Sequence, residues 1–183
     1  MIEPFTPNTK ETLYAYIAGI IDGEGYIGIK KGLPTAANKM RSPKYEARLS
    51  IAMTDREAIT LIERTFGIYC CTSLRPQRNV LHKSCYHFDV TNHRVGTILR
   101  SVLPYLQIKR EQALTVIAFC KLRLSSRSFR TKAIGTFQWH TSNRKSGSSY
   151  RTFGLSDDYL AECELAYQHC LSMNAKGVAA CAT

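Results

Sequence analysis

Glu24 is the acid best placed to do chemistry in this sequence, because it stands between Gly23 and Gly25 at the end of a helix-forming stretch. That position is the negative pole of a helix dipole, where a carboxylate is disfavoured unless a cation offsets it. Carboxylate oxygens are hard ligands that suit Mg²⁺, with Mn²⁺ the expected substitute. Mg²⁺ keeps several of its waters and bridges to phosphate oxygens. A divalent cation there would lower the pKa of water and offset charge at phosphorus. A second cluster is less specific. Cys70, Cys71, His82, Cys85 and His87 lie close in sequence, but their spacing fits no standard zinc pattern, and packed strand cysteines are expected instead.

The partner of such chemistry is suggested by charge. Lys and Arg number 25 against 14 Asp and Glu, a net +11 over 183 residues. An excess of this size attracts polyanions and speeds encounter with nucleic acid. From residue 112 to 156 there is no acid and there are eight Lys and Arg. Membrane insertion and small-molecule catalysis have no support: no apolar run approaches the roughly 20 residues a spanning helix needs. The seven cysteines are odd in number, and the first residues carry no basic-then-apolar leader. Reduced thiols inside a cell are therefore expected, in an organelle (chloroplast or mitochondrion) or a microbial cytoplasm, with no targeting peptide visible.

Periodicity gives the elements that must hold Glu24. Asn8 and Glu11 read as a capping box opening a helix to about Asp22, with Leu13, Ile17, Ile20 and Ile21 on its apolar face. Residues 26–30 alternate as a strand, Ile27 and Ile29 inward. Residues 45–53 alternate likewise, with Tyr45, Ala47, Leu49, Ile51 and Met53 on one side. Thr54 and Glu57 read as another capping box, for a helix ending at Gly67. Residues 68–75 and 85–91 suggest a second hairpin, followed by helices over 93–103, stopped by Pro104, and 110–125. The latter turns Ala113, Ile117, Cys120 and Leu124 to one face. Residues 127–153 lack periodicity, and a last helix spans about 156–174. Hairpins broken by helices indicate an α+β fold with an antiparallel sheet, apolar on one face and basic on the other. One domain is expected, with a core over 1–125 and a basic loop and C-terminal helix over 126–183.

The first helix carries a row of small residues, Ala15, Gly19 and Gly23, four apart. Each helical glycine costs about 0.8–1 kcal/mol against alanine, so the row needs a compensating contact. A smooth face admits another helix closely, from the same chain or from a second copy.

Residues 17–25, IAGIIDGEG, resemble the signature of the LAGLIDADG homing endonucleases position by position, with Ile for Leu, Gly for Ala and Glu for the second Asp. The likeness extends over about residues 10–125. It implies an αββαββα fold with a saddle-shaped sheet and the motif helix at a dimer interface. One motif implies a homodimer, with Ala15, Ala18, Gly19, Asp22 and Gly23 between the partners. The motif's second acid, here Glu24, is implied as the metal ligand, helped by the backbone carbonyl of Gly23, while Asp22 is structural. Lys109, in LPYLQIK, matches a lysine that lies near the scissile phosphate. Asp55 stands where many members have a Gln that orders water; it would do that, or cap the helix that follows.

The implied activity is site-specific, metal-dependent hydrolysis of one phosphodiester on each strand of a long, roughly palindromic duplex site. A two-stranded ribbon fits the major groove. The polar face that would enter it is Tyr26, Gly28, Lys30, Glu46, Arg48, Ser50, Ser73, Arg75 and His87. Arg48 and Arg75 suit bidentate contacts to guanine, and Glu46 suits cytosine N4. Lys31, Lys39, Arg41, Lys44, Arg78 and Lys83 suit phosphates, which position without specifying. Intron RNA maturases and non-catalytic DNA-binding proteins share this fold. The acid at position 24 favours the nuclease.

Overall fold

A computed structural model of the chain describes residues 9–33, 43–69, 85–125, 139–141, 149–151 and 157–179. Helix α1 spans Lys10–Glu24. Its N-cap is Thr9, whose hydroxyl accepts from the Thr12 N–H at 3.2 Å. The capping box read from Asn8 is thus displaced by one residue; Asn8 itself lies outside the described residues. Strand β1, Gly25–Gly32, leaves the helix with no intervening loop. Gly25 makes that exit possible. A Cβ at this position would sit 2.6 Å from the Ile21 carbonyl oxygen and 2.9 Å from the Ile21 Cα, too close for any side chain.

Strand β2, Lys44–Met53, runs antiparallel to β1, and β3, Tyr86–Thr91, antiparallel to β2, in the sheet order β1-β2-β3. Alternation places Ile27, Ile29, Tyr45, Ala47, Leu49, Ile51, Phe88 and Val90 in the core. Helix α1 adds Ile17, Ala18, Ile20 and Ile21 from above that face. Burying each large side chain contributes about 1.5–3 kcal/mol. Of the first arm expected over 68–75, Ile68 and Tyr69 lie in no strand and residues 70–75 lie outside the described residues.

Helix α2, Arg56–Phe66, is capped by Asp55, whose Oδ1 accepts from the N–H groups of Glu57 (2.7 Å) and Ala58 (3.4 Å). The capping box expected from Thr54 is therefore one residue off as well. The helix ends as expected at Gly67, in the left-handed region at φ 61°. Helix α3, His93–Val102, passes into a 3₁₀ turn, Leu103–Tyr105, and α4 spans Arg110–Ser125. Leu124, expected on α4's buried face, is 55% exposed; Val116 and Phe119 join Ala113, Ile117 and Cys120 inside instead.

Asn92 links β3 to α3 with φ 60° and ψ −128°, an unfavourable backbone for a non-glycine residue. It is held from several sides. Its N–H donates to the Ala47 carbonyl at 2.9 Å, and its side-chain oxygen accepts from Arg123, which also donates to the Tyr45 carbonyl at 2.7 Å.

In the stretch that sequence periodicity leaves blank, β4, Trp139–Thr141, pairs with β5, Ser149–Arg151. Helix α5, Asp157–Ala179, packs against α4 and β1 and buries Cys163 and Cys170. It reaches the backbone of the edge strand: Asn174 Nδ2 donates to the Ile27 carbonyl at 3.3 Å. Edge strands left bare invite unwanted pairing, and α5 covers this one. Among the described residues no helix is long and apolar enough to cross a membrane.

Candidate active site and nucleic-acid interface

The end of α1 is built around two carboxylates with opposite fates. The side chain of Asp22 is engaged. Its Oδ2 accepts from the Gln107 N–H at 2.7 Å and its Oδ1 from the Lys109 N–H at 2.9 Å. This pins the turn before α4 to the motif helix. Lys109 then returns the contact, its Nζ donating to the carbonyls of Ile21 (2.9 Å) and Asp22 (2.8 Å). A helix leaves its last carbonyls without partners, and a cation there also meets the favourable pole of the dipole. Burial pushes the Lys109 ammonium below its ordinary pKa, while the charges of Asp22 and then Glu24 oppose that shift.

Glu24, the last residue of α1, is exposed. Its carboxylate makes no hydrogen bond or ion pair among the described residues. Lys109 takes the carbonyls of Ile21 and Asp22 and not that of Gly23. The donor set left at the helix end is thus an exposed carboxylate with a neighbouring carbonyl, hard oxygens that fit Mg²⁺. No group of three His, Cys, Asp or Glu side chains gathers among the described residues, at this helix end or elsewhere.

Along α1, Ala15, Gly19 and Gly23 are exposed, and a Cβ at Gly19 or Gly23 would meet nothing within 4 Å. Among the described residues nothing requires glycine at either place. Ala18, expected between the partners, is fully buried in the protomer's own core, which removes it from the outer face of α1. Asp22 is half-buried, its oxygens directed to residues 107 and 109. Asp55, read as a candidate for ordering water, spends its Oδ1 on capping α2.

Register aligns the residues expected to face DNA. Lys30 lies opposite Glu46, Gly28 opposite Arg48, and Tyr26 opposite Ser50, with Asp89 on the far side of Ser50 and His87 opposite Ala52. Several carry partners. Lys44 Nζ sits 2.8 Å from Glu46, and that ammonium holds the Glu46 carboxyl below the usual carboxylate range. Arg48 is paired with Asp89. Lys31, read as a phosphate contact, is instead committed to α5. Its ammonium lies 2.7 Å from Glu164 and over the rings of Tyr45 and Tyr167. Tyr45 also donates its hydroxyl to Glu164. Lys39, Arg41, Ser73, Arg75, Arg78 and Lys83 lie outside the described residues, as do Cys70, Cys71 and His82. Asp89 and Glu164 escaped sequence reading because their partners are set by strand register and helix docking, which no local spacing encodes.

No protein-family model matches the chain. DNA endonuclease I-CvuI of Chlorella vulgaris is 30% identical to it over 112 residues, 59% of this chain and 63% of that protein. The chain thus spans less than two thirds of the length of this curated relative. The homing endonuclease I-CvuI, in complex with the I-CreI target in the presence of 2 mM Mg, superposes with a TM-score of 0.61 at 18% identity, covering 90% of this chain and 83% of that one. The archaeal intron-encoded homing endonuclease I-Vdi141I, complexed with DNA, gives 0.50 at 15% identity, covering 86% of this chain and 98% of that one.

Proposed function

We propose that this chain, a relative of the LAGLIDADG homing endonucleases with their fold, is a site-specific DNA endonuclease working as a homodimer with a divalent metal. The observation that carries the reading is the arrangement at the end of α1. Glu24 is free and exposed, Lys109 is folded against the same helix end, and the row Ala15, Gly19 and Gly23 runs open along the helix that delivers them. Two copies packed through that row would bring two Glu24 carboxylates close together. Like charges at short range need cations between them.

The Glu24 carboxylate and the Gly23 carbonyl are the groups that would hold Mg²⁺. The bound ion would supply charge neutralisation at the scissile phosphate and a water of lowered pKa. The chain's own residues do the rest. Asp22 locks the 107–109 turn, and with it Lys109, to the motif helix. Lys109 would supply an ammonium to the charge that develops at phosphorus, the kind of fixed electrostatic support that accounts for much of catalysis. The polar sheet face seats the duplex. Each strand is cut by adding a water oxygen to phosphorus and breaking the P–O3′ bond; the proton goes to O3′, leaving a 5′ phosphate and a 3′ hydroxyl.

Charge supports the same partner. A dimer carries twice +11, so affinity for DNA should fall steeply with added salt. The test is Glu24→Gln. The variant is expected to bind a selected DNA site as the wild type does and to lose cleavage in Mg²⁺. Near-normal cleavage by that variant would remove Glu24 from the chemistry.

A further inference from the structure

The reading of the sheet as a DNA-binding face, on which this inference rests, leaves Asp89 without a role. Asp89 grips Arg48 from the neighbouring strand: Arg48 Nε donates to Oδ1 at 2.9 Å, and Nη2 donates to Oδ2. On its other side Arg48 faces Gly28 of β1. A Cβ at Gly28 would come within 2.5 Å of the Tyr26 phenol oxygen, so the phenol lies across the glycine, beside Arg48. The guanidinium is thus fenced by Tyr26 and clamped by Asp89, yet the Arg48 and Asp89 side chains stay 34% and 41% exposed.

A guanidinium has five N–H donors. Asp89 takes the Nε–H and one Nη2–H. The adjoining edge, Nη1 with the second Nη2–H, makes no hydrogen bond among the described residues and offers two parallel donors. That fork matches O6 and N7 of guanine in the major groove.

We propose that Asp89 is a specificity-determining positioning residue, which holds Arg48 as a preset reader of one guanine in each half-site. Two physical effects follow from the clamp. An arginine already fixed in one rotamer loses less conformational freedom on meeting a base. An arginine whose charge is offset by a carboxylate is also drawn less to phosphates, which carry no sequence information. Asp89 therefore trades non-specific attraction for base discrimination.

The test selects bound sequences from a randomised duplex DNA library in Ca²⁺, using the full chain as wild type, Asp89→Ala, Arg48→Ala and the double variant. Wild type should enrich a guanine at one position per half-site. Asp89→Ala should weaken that preference about 10-fold, leave other positions unchanged, and keep or raise affinity for unselected DNA, since a negative charge is gone. The double variant should match Arg48→Ala alone, because Asp89 acts through the arginine. A change at some other position in Asp89→Ala, or full retention of the guanine that Arg48→Ala loses, overturns the proposal. A wild type that enriches no sequence overturns the DNA-endonuclease reading itself, and this one with it.

Discussion

The first and last helices of the chain treat their acids in opposite ways. On α5, Glu164 is held by the Lys31 ammonium, the Tyr45 hydroxyl and Gln168, and these partners hold its carboxyl down to about 2. On α1, Glu24 has no hydrogen-bonding partner among the described residues, and the glycines that precede it face open space. Helix α5 completes the protomer, closing the edge of β1 from outside. Helix α1 buries one face in the core, and its other face, with Ala15, Gly19 and Gly23, is exposed among the described residues. On the proposed function, the difference would separate residues that stabilise from residues that act, within one continuous core.

The contrast predicts that damage to the two helices will be read by different instruments. The largest effect after loss of Glu24 itself is expected from Lys109→Ala, with a fall in cleavage of about 10²-fold or more, the scale seen when a fixed electrostatic donor is removed. Some stability should go too, because the last carbonyls of α1 lose their cap. Full cleavage by this variant, measured on a selected site in Mg²⁺, would confine Lys109 to capping.

Glu164→Gln should do the reverse, sparing cleavage and lowering Tm by roughly 2–4 °C at neutral pH, the shift that about 1 kcal/mol produces in a domain of this size. The sign of its pH dependence follows from the depressed carboxyl. With a folded value of about 2 against an ordinary 4.5, the charged form's stabilisation is fully present above pH 4.5. It disappears as pH falls through about 2. Thermal melts of wild type should slope downward across that window, and those of the Gln variant should slope less. Equal slopes would show that the clamp contributes nothing.

Asp55→Ala sharpens the contrast at the smallest scale. Loss of a carboxylate N-cap costs about 1 kcal/mol, and the capping geometry predicts that cost in chemical denaturation with cleavage reduced no further than the stability loss explains. A cleavage defect far beyond it would restore Asp55 to the reaction.

Much of this arrangement was legible in the sequence, and for stated reasons. IAGIIDGEG marked the helix and its end to within two residues, and the structure gives a local reason for its last glycine, since a Cβ at Gly25 would meet the Ile21 backbone. Alternation in residues 45–53 gave the inward face correctly, since a half-buried strand has a period of two. The N-caps at Thr9 and Asp55 were each misplaced by one residue, because several neighbouring polar side chains can cap and only backbone geometry selects among them. Ala18 was expected between the partners from the family resemblance, but its place on the helix, three residues from Ala15 and outside the row four apart, turns it inward. The partners of Arg48 and Lys31 were invisible, since Asp89 and Glu164 reach them only through tertiary structure.

The central claim is that the open face of α1 is an interface between two copies. Sedimentation of wild type beside Gly19→Leu tests it most directly. Residue 19 is exposed, a Cβ there meets nothing within 4 Å among the described residues, and leucine improves helix propensity by about 0.8 kcal/mol over glycine. The protomer should therefore hold or gain stability while association is blocked. Wild type is predicted to sediment at twice the 20.6 kDa chain mass and Gly19→Leu as a folded single chain without cleavage. A wild type that stays monomeric at cleaving concentrations, or a Gly19→Leu variant that pairs and cuts as before, would contradict the account.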